Sequence, residues 1–440
     1  MTHAKKRYGA SWDGKARADV APEAGGQRTS FRWVICALLF CATAINYMDR
    51  QIIGILKPSL QHELGWSEEG YGTIVFWFQA TYAVGYLSFG RIVDRIGAKV
   101  GFACAMVLWT IAHVAHALVR SVTGFCVVRA ALGFGEGGNF PGAVKAIAEW
   151  FPKQERALAF GISIAGANVG AIATPLLVPA IALIWGWRAA FVITSSFSLV
   201  WLIAWLAIYR QPAQSRRVSP SELKFITSDP PDDPGRVYWR DVIFRRETLA
   251  YAMAKFLVDP VWWMFLFWLP DFFAKRHGLN LQTFGVPLAI IYVTSDLGSV
   301  AGGYVSSRLI KRGVSLNASR KLTMALCALL IVPVITAATI DNLWFAVAVL
   351  SLATAAHQGF SANLLTLPSD LFPRKAVGTV AGIGGAMGAV GGMIMAEYAG
   401  YILQTVGSYT PIFAACGALY FIALLVIQLL SPRMTPVSDI

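Results

Sequence analysis

A chain of 440 residues that is 56% hydrophobic, 12% aromatic and only 14% charged, with a mean hydropathy of +0.57, would present an apolar surface to water if it folded as soluble domains. It reads instead as a polytopic membrane protein. The net charge of +13 does not imply a nucleic-acid partner, because the basic residues lie between apolar runs and form no single patch with interleaved aromatics. The six cysteines, Cys36, Cys41, Cys104, Cys126, Cys327 and Cys416, all fall inside apolar runs without CxxC or histidine spacing, so neither a disulfide nor a metal site is expected.

Residues 1–30 are polar and rich in Gly, Ala and Arg, which predicts a disordered cytoplasmic tail with no signal peptide. A membrane span needs about 20 predominantly apolar residues, and twelve stretches qualify: 31–56, 70–90, 99–118, 121–144, 157–181, 187–209, 248–274, 283–307, 321–340, 343–367, 378–403 and 409–430. The expected fold is therefore an all-α membrane protein with twelve transmembrane helices. Residues 210–247 form the one long hydrophilic break, carrying Pro212, Pro220, Pro230, Pro231 and Pro234, and are expected to be a cytoplasmic linker. The break separates a six-helix bundle over 31–209 from a second over 248–430, with a short cytoplasmic tail at 431–440. Most Lys and Arg fall on the side of the two termini, whereas the opposite side carries Lys57, Arg120, Arg188, Lys275 and Arg276. That asymmetry predicts cytoplasmic termini and insertion in the inner membrane. Arg50, Arg129 and Lys255 remain as the intramembrane cations.

The first span holds Asn46-Tyr47-Met48-Asp49-Arg50, with apolar residues on both sides. A charge near the bilayer centre costs roughly 2.5–3.5 kcal/mol on insertion scales, so a function is the default reading and a structural ion pair the alternative. An internal repeat supports the two-bundle division. Glu149-Trp-Phe-Pro-Lys followed by Gly161-Ile162, Ala165 and Val169-Gly170 returns at constant offset as Asp370-Leu-Phe-Pro-Arg, Gly382-Ile383, Ala386 and Val390-Gly391. Facing repeats of this kind place a substrate near the midplane. No GxxxxGK[ST] is present, which argues against ATP-driven transport. GFGEGG at 133–138 lies inside a span with no preceding strand, so its glycines are read as permitting close helix packing around Glu136.

Gly90-Arg-Ile-Val-Asp94-Arg95-Ile-Gly97-Ala-Lys99 joins the second and third spans, and a degenerate copy, Gly303-Tyr-Val-Ser-Ser307-Arg308, joins the eighth and ninth. This GxxxDRxGxK spacing resembles the signature loop of the major facilitator superfamily. The resemblance implies two pseudo-symmetric six-helix bundles and a cytoplasmic latch at Gly90, Asp94 and Arg95; Ser307, standing where an acid would be, weakens a symmetric latch. Asn46-Tyr-Met-Asp-Arg-Gln, Arg129-Ala-Ala-Leu-Gly133-Phe-Gly-Glu136-Gly-Gly-Asn-Phe-Pro141 and Ala148-Glu-Trp-Phe-Pro152 look like the anion:cation symporter family. Lys255-Phe-Leu-Val-Asp-Pro-Val-Trp-Trp, Asp296-Leu-Gly and Ala356-His357-Gln358 are similar to its hexuronate branch. The resemblance extends over essentially the whole chain beyond the tail.

The chemistry stands beside the resemblance. A proton-coupled anion carrier needs a cation for the substrate carboxylate and an acid whose protonation changes with loading. Arg50 suits the first role, since guanidinium grips a carboxylate bidentately and stays charged. Asp49 and Glu136 suit the second, because a low-dielectric site favours the neutral carboxyl. Arg129 lies two helical turns from Glu136, nearly on one face, and is expected to hold it ionised. On this reading protonation of Asp49 frees Arg50, and Glu136 couples a second proton to gating.

Further candidates are Gln79 and Tyr82 in the second span, Asn168 in the fifth, Trp262 and Trp263 as sugar-stacking surface, and His357, Gln358 and Asn363 as a polar stripe. Each has a packing alternative, with His357 as readily a hydrogen-bonded spacer. Lys255 and Asp259 are spaced as a helix-stabilising i,i+4 pair that also suits substrate binding or gating, with Asp296 as a partner. The expected function is proton-coupled import of an organic acid anion. A hexuronate such as glucuronate or galacturonate leads, with an aldonate such as galactonate or an aromatic acid as alternatives. An exporter lacks its Gly-Pro-x-x-Gly-Gly ending in the fifth span, and a non-transporting sensor lacks an output domain. No enzymatic activity, cofactor or metal is expected, coupling to protons is favoured over sodium for want of an oxygen-ligand cluster, and the chain is expected to act as a monomer in the bilayer.

Overall fold

The computed structural model describes residues 29–229 and 239–437. Nearly all of the expected disordered tail, the centre of the linker and the last three residues lie outside that range. The helices are α1 (Arg32–Leu64), α2 (Glu68–Ala115), α3 (Val122–Glu136), α4 (Asn139–Trp150), α5 (Lys153–Ile208), α6 (Pro220–Ile226), α7 (Trp239–Val242), α8 (Arg246–His277), α9 (Gly285–Lys311), α10 (Leu316–Ile331), α11 (Leu343–Leu371), α12 (Arg374–Thr405) and α13 (Thr410–Leu430). Among the described residues there is no strand. Starts are set by side-chain caps: Ser67, Ser121 and Asn342 accept from the backbone N–H three residues on, at 2.9, 3.1 and 2.9 Å. Gly65 and Gly278 close α1 and α8 in the left-handed conformation.

Among the described residues eight helical stretches are long and apolar enough to cross a membrane, against the twelve expected. The difference has physical causes. α2 and α5, at 48 and 56 residues, each run through two expected spans, and the backbone turns inside them at Gly97 (φ 83°) and Gly186 (φ 82°), where only glycine fits without strain. The fourth expected span is split at Gly137–Gly138 into α3 and α4, of 15 and 12 residues. α1 is long enough but carries Arg32, Asp49, Arg50 and Lys57, which lower its hydropathy.

Packing repeats along the chain. α1 lies on α5 as α8 lies on α12, and α2 lies on α3 as α9 lies on α11. Glycines mark these crossings: a side chain at Gly166 or Gly170 would meet the backbone of Phe40 or Ala44, and one at Gly391 the backbone of Phe256. Gly133 sits against the Phe78 carbonyl and Gly135 against the backbone of Trp109, so the GFGEGG glycines pull α2 onto α3. The two Phe-Pro junctions are superposable in conformation. Phe151 (φ −124°, ψ 135°) and Phe372 (φ −117°, ψ 148°) end α4 and α11, and Pro152 and Pro373 start the next helix at ψ 154° and 150°. α2 also meets α12, where Gly72 abuts the Ala396 carbonyl.

On the side of the termini, α6 ties the start of α1 to the linker. Glu222 is fully buried and accepts from the N–H groups of Phe31 and Arg32 (both 3.1 Å), from Arg32 Nη1 (3.0 Å) and from the Thr29 hydroxyl. Burial opposes its charge, yet these donors hold its carboxyl below the usual range.

The crossings make a stability prediction. Gly133→Val forces a branched side chain into the Phe78 carbonyl and is expected to cost at least ~1–3 kcal/mol, seen as a lower melting temperature of the purified protein. Gly382→Ala, with nothing within 4 Å of its added carbon, is expected to leave that temperature unchanged or raised.

Candidate functional site

Asp49 and Arg50 are consecutive on α1, and consecutive helical side chains diverge by about 100°. They therefore serve two different surroundings. Arg50 is 1% exposed. Its Nε donates to Glu136 Oε2 of α3 at 3.0 Å, and its Nη2 to Asn46 Oδ1, one turn earlier, at 2.9 Å. Four aromatic rings face the guanidinium: Tyr82 at 4.6 Å, Tyr47 at 4.9 Å, Trp263 of α8 at 5.0 Å and Phe78 at 5.4 Å. The arrangement holds a desolvated cation with one carboxylate, one amide and a ring of π-faces, so a second anion reaching Arg50 competes with Glu136.

Asp49 is fully buried on the other side of α1. Its Oδ2 accepts from Trp109 Nε1 at 2.7 Å and from the Ser198 hydroxyl at 3.2 Å, and its Oδ1 lies 3.3 Å from His113 Nε2. The expected switch between neighbouring Asp49 and Arg50 thus becomes two carboxylates on separate circuits, Glu136 with Arg50 and Asp49 with α2 and α5. Arg129 acts on Glu136 through its charge and without a hydrogen bond. Its Nη2 donates to the Arg50 carbonyl at 3.3 Å and its guanidinium covers Phe78 at 4.2 Å, so Arg50 and not Arg129 is the hydrogen-bonded partner of Glu136.

Of the other candidates, Asn46, Tyr47, Tyr82 and Trp263 converge on Arg50. Gln79 is 1% exposed beside Gly392 of α12, and its amide makes no hydrogen bond to any described residue. Lys255 pairs with Asp259 at 2.6 Å, and Gly388 of α12 packs against that carboxylate. Asp296 joins no ion pair among the described residues. Asn168 and Gln358 are half-buried. Trp262 separates from Trp263 for the same helical reason as Asp49 from Arg50: it stacks on His357 at 5.5 Å. His357 in turn bonds the Tyr420 hydroxyl at 2.5 Å, which makes it a packed spacer. Asn363 is a structural residue, since its amide donates to the carbonyls of Gly359 (2.9 Å) and Gly302 (3.2 Å) and accepts from Arg320 (3.2 Å).

At the end of the bundle nearer the termini, Asp94 pairs with Lys145 at 3.2 Å, and Arg95 is exposed. The expected latch across the two sets of helices is not made by this pair, which stays within α2 and α4. The far end is different, and sequence reasoning missed it. Lys57 is 0% exposed and bound to Glu68 (2.7 Å) and to Asp271 of α8 (2.8 Å). Lys275 bridges the same two carboxylates, the Tyr71 hydroxyl donates to the Phe267 carbonyl at 2.9 Å, and the Glu68 N–H donates to Gln404. A lone Lys before Pro58 gave no signal; only the approach of α8 reveals its partner. The other missed residues, Trp109, His113 and Ser198, come from α2 and α5 and have no shared motif with Asp49. Among the described residues no group of three or more His, Cys, Asp or Glu is placed to hold a metal.

The sequence model of the Major Facilitator Superfamily matches residues 39–396. The chain is 31% identical over 403 residues to the hexuronate transporter of Escherichia coli strain K12, covering 90% of this chain and 93% of that protein. It is 32% identical over 307 residues to the galacturonate transporter of Dickeya chrysanthemi, covering 68% and 89%. It is 26% identical over 411 residues to a D-galactonate transporter of Escherichia coli O6:H1, covering 89% and 95%. A solved bacterial homologue of the human lysosomal transporter Spinster, in an inward-facing and occupied conformation, superposes with a TM-score of 0.72 at 16% identity, covering 92% of this chain and 96% of that one.

The far-end network carries a prediction. Lys57→Met leaves Asp271 and Glu68 short of a buried counter-charge and is expected to destabilise by ~3–5 kcal/mol, while adding Asp271→Leu recovers part of the loss. Thermal unfolding of the three variants in detergent measures the coupling.

Proposed function

Because the chain belongs to the major facilitator superfamily, a family of transporters and not of enzymes, we propose that it is a proton-coupled symporter importing an organic acid anion, specifically a hexuronate such as glucuronate or galacturonate. The observation that carries this reading is the buried Arg50 guanidinium, held by Glu136 at 3.0 Å among the rings of Tyr82 and Trp263. A carboxylate ligand needs such a cation, and the rings of Tyr82 and Trp263, 6.3 Å apart, offer an apolar sugar face its complement. The relatives narrow the class, since those named above carry hexuronate, galacturonate and D-galactonate; an aldonate is the second reading within it.

Coupling follows from competition. While Glu136 is ionised it occupies Arg50; a proton on Glu136 releases the guanidinium to the substrate carboxylate, and release of the substrate followed by loss of the proton restores the pair. This revises the expected order of roles, with Glu136 at the substrate cation and Asp49 as the second proton site behind it. The reading takes α2 and α5 as two spans each and α3 with α4 as one, which together with α1 and the helices after the linker makes twelve. They form two six-helix bundles, 31–209 and 248–430, joined through the cytoplasmic linker at 210–247 in the inner membrane, and the chain works as a monomer. Both termini are cytoplasmic, so the Lys57, Glu68, Asp271 and Lys275 network closes the outer gate and the state is inward-facing.

The test is uptake of labelled sugar acids into proteoliposomes under an imposed pH gradient. Asp49→Asn and Glu136→Gln are each expected to abolish uphill accumulation while some exchange persists; proton-driven uptake intact in both variants overturns the coupling. Arg50→Lys keeps the charge but loses the fork, and is expected to weaken sugar-acid binding by roughly tenfold or more, about 1.4 kcal/mol, read as lost thermal stabilisation across a panel of sugar acids.

A further inference from the structure

Two glutamines, Gln51 of α1 and Gln79 of α2, are 0% and 1% exposed, and neither end of either amide makes a hydrogen bond to any described residue. An amide brings two N–H donors and a carbonyl acceptor, and each is costly to bury unpaired. A leucine or methionine would fill the same space without that penalty, so packing alone does not account for the pair. Their places on the helices are matched. Gln51 follows Tyr47 by four residues and Gln79 precedes Tyr82 by three, so each lies one turn from a tyrosine whose ring faces Arg50, on the same face of its helix. α1 runs toward the far end, where Lys57 pairs with Glu68, and α2 starts there and runs back. Both amides therefore stand on the far side of the tyrosines, roughly 6 and 4.5 Å further along the two helix axes, between the aromatic pocket and the Lys57 network. Both also look across to the helices beyond the linker. Tyr292 of α9 faces Gln51 without closing a hydrogen bond to it, its hydroxyl proton going to the Phe265 carbonyl at 3.4 Å. Gln79 lies against Gly392 of α12, where an added Cβ would come within 2.3 Å of the amide Oε1, so the glycine makes the room that this amide occupies.

We propose that Gln51 and Gln79 bind the hydroxyls of the sugar acid at the end remote from its carboxylate, and so set the preference of this chain for polyhydroxy acids. The inference rests on the proposed seating of the carboxylate on Arg50. With the carboxylate there and the ring between Tyr82 and Trp263, the far hydroxyls come level with the two amides, one helical turn beyond the tyrosines. A sugar hydroxyl both donates and accepts, as an amide does, so each amide can turn to the hydroxyl it meets without a charge being buried. The ligand then relieves a cost that the free protein carries. An acid of the same shape without hydroxyls leaves both amides unpaired, which penalises it by more than the loss of a contact to water-exposed groups would. Arg50 supplies the affinity common to all carboxylates, and the two amides supply the discrimination among them.

The test compares galacturonate with tetrahydropyran-2-carboxylate, which keeps the ring and the carboxylate and lacks every hydroxyl, by titrating the thermal stabilisation of the purified full-length protein. The wild type is expected to prefer galacturonate by about a hundredfold or more. Gln51→Leu and Gln79→Met are each expected to cut that preference about tenfold, by weakening galacturonate while the hydroxyl-free acid binds as before or better. Gly392→Ala, which crowds the Gln79 amide from α12, is expected to act in the same direction as Gln79→Met. Without ligand, both glutamine variants are expected to melt at the wild-type temperature or above, because a buried unpaired amide has gone. A fall of several degrees means that the protein itself already pairs the amide, and overturns the proposal. A preference unchanged in one variant overturns the role of that amide, and one unchanged in both overturns the whole; equal weakening of the two acids marks a structural role and does the same. The carboxylate seat is tested apart from the glutamines: wild type that binds neither acid, or Arg50→Lys that binds both as tightly as wild type, overturns the seat on which the inference rests.

Discussion

A guanidinium removed from water is the constraint to which the other parts of this structure answer. Arg50 is 1% exposed in the middle of α1, and leaving it without partners would cost several kcal/mol. The neighbouring helices supply what it needs: Glu136 from α3, Asn46 from its own helix, Phe78 and Tyr82 from α2, and Trp263 from α8. Bringing α2 and α3 close enough for that is the work of Gly133 and Gly135, whose missing side chains let the carbonyl of Phe78 and the backbone of Trp109 approach the helix that bears Glu136. One contact, Trp263, comes from beyond the linker. The charge therefore senses how α8 sits against α1 and α2.

The two ends of the bundle are held differently. At the far end a compact set of alternating charges, Lys57, Glu68, Asp271 and Lys275, joins α1 and α2 to α8, with Lys57 under the rings of Tyr71 and Trp268 at 4.8 and 4.3 Å. Near the termini Asp94 is satisfied by Lys145 within its own set of helices. A pair that can be broken and remade on one side, with a pocket cation shared across it, is the physical basis on which the proposed alternating access rests. It also explains why the pocket needs Glu136: an unpaired Arg50 would be too costly to keep while no anion is bound.

Much of this was legible in the sequence. The apolar composition defined the class, and the recurring Phe-Pro junctions and Gly-rich following helices announced a repeat that the matched backbone angles at Phe151 and Phe372 display. The signature loop and the ordered motifs named the superfamily. The count of long helices differs from the count of expected spans because at Gly97 and Gly186 two helices meet end to end across a residue with non-helical backbone angles. Asp49, Arg50 and Glu136 stood out because charge is rare in an apolar run, Tyr47 because it neighbours that charge, Tyr82 through the family resemblance, and Trp263 as an aromatic surface for a sugar.

What the sequence by itself determined, then, was which residues are chemically exceptional in their surroundings and that the chain is a helical membrane protein of this superfamily. Which of them meet was decided only by the tertiary structure, because helical periodicity sends adjacent side chains to different neighbours. Asp49 turns to Trp109, Ser198 and His113 while Arg50 turns to Glu136, and Trp262 packs on His357 while Trp263 faces Arg50. Likewise, nothing local to Lys57 tells that Asp271, far along the chain, will bury it. Pairing is a property of how the helices cross, and no single stretch of sequence contains a crossing.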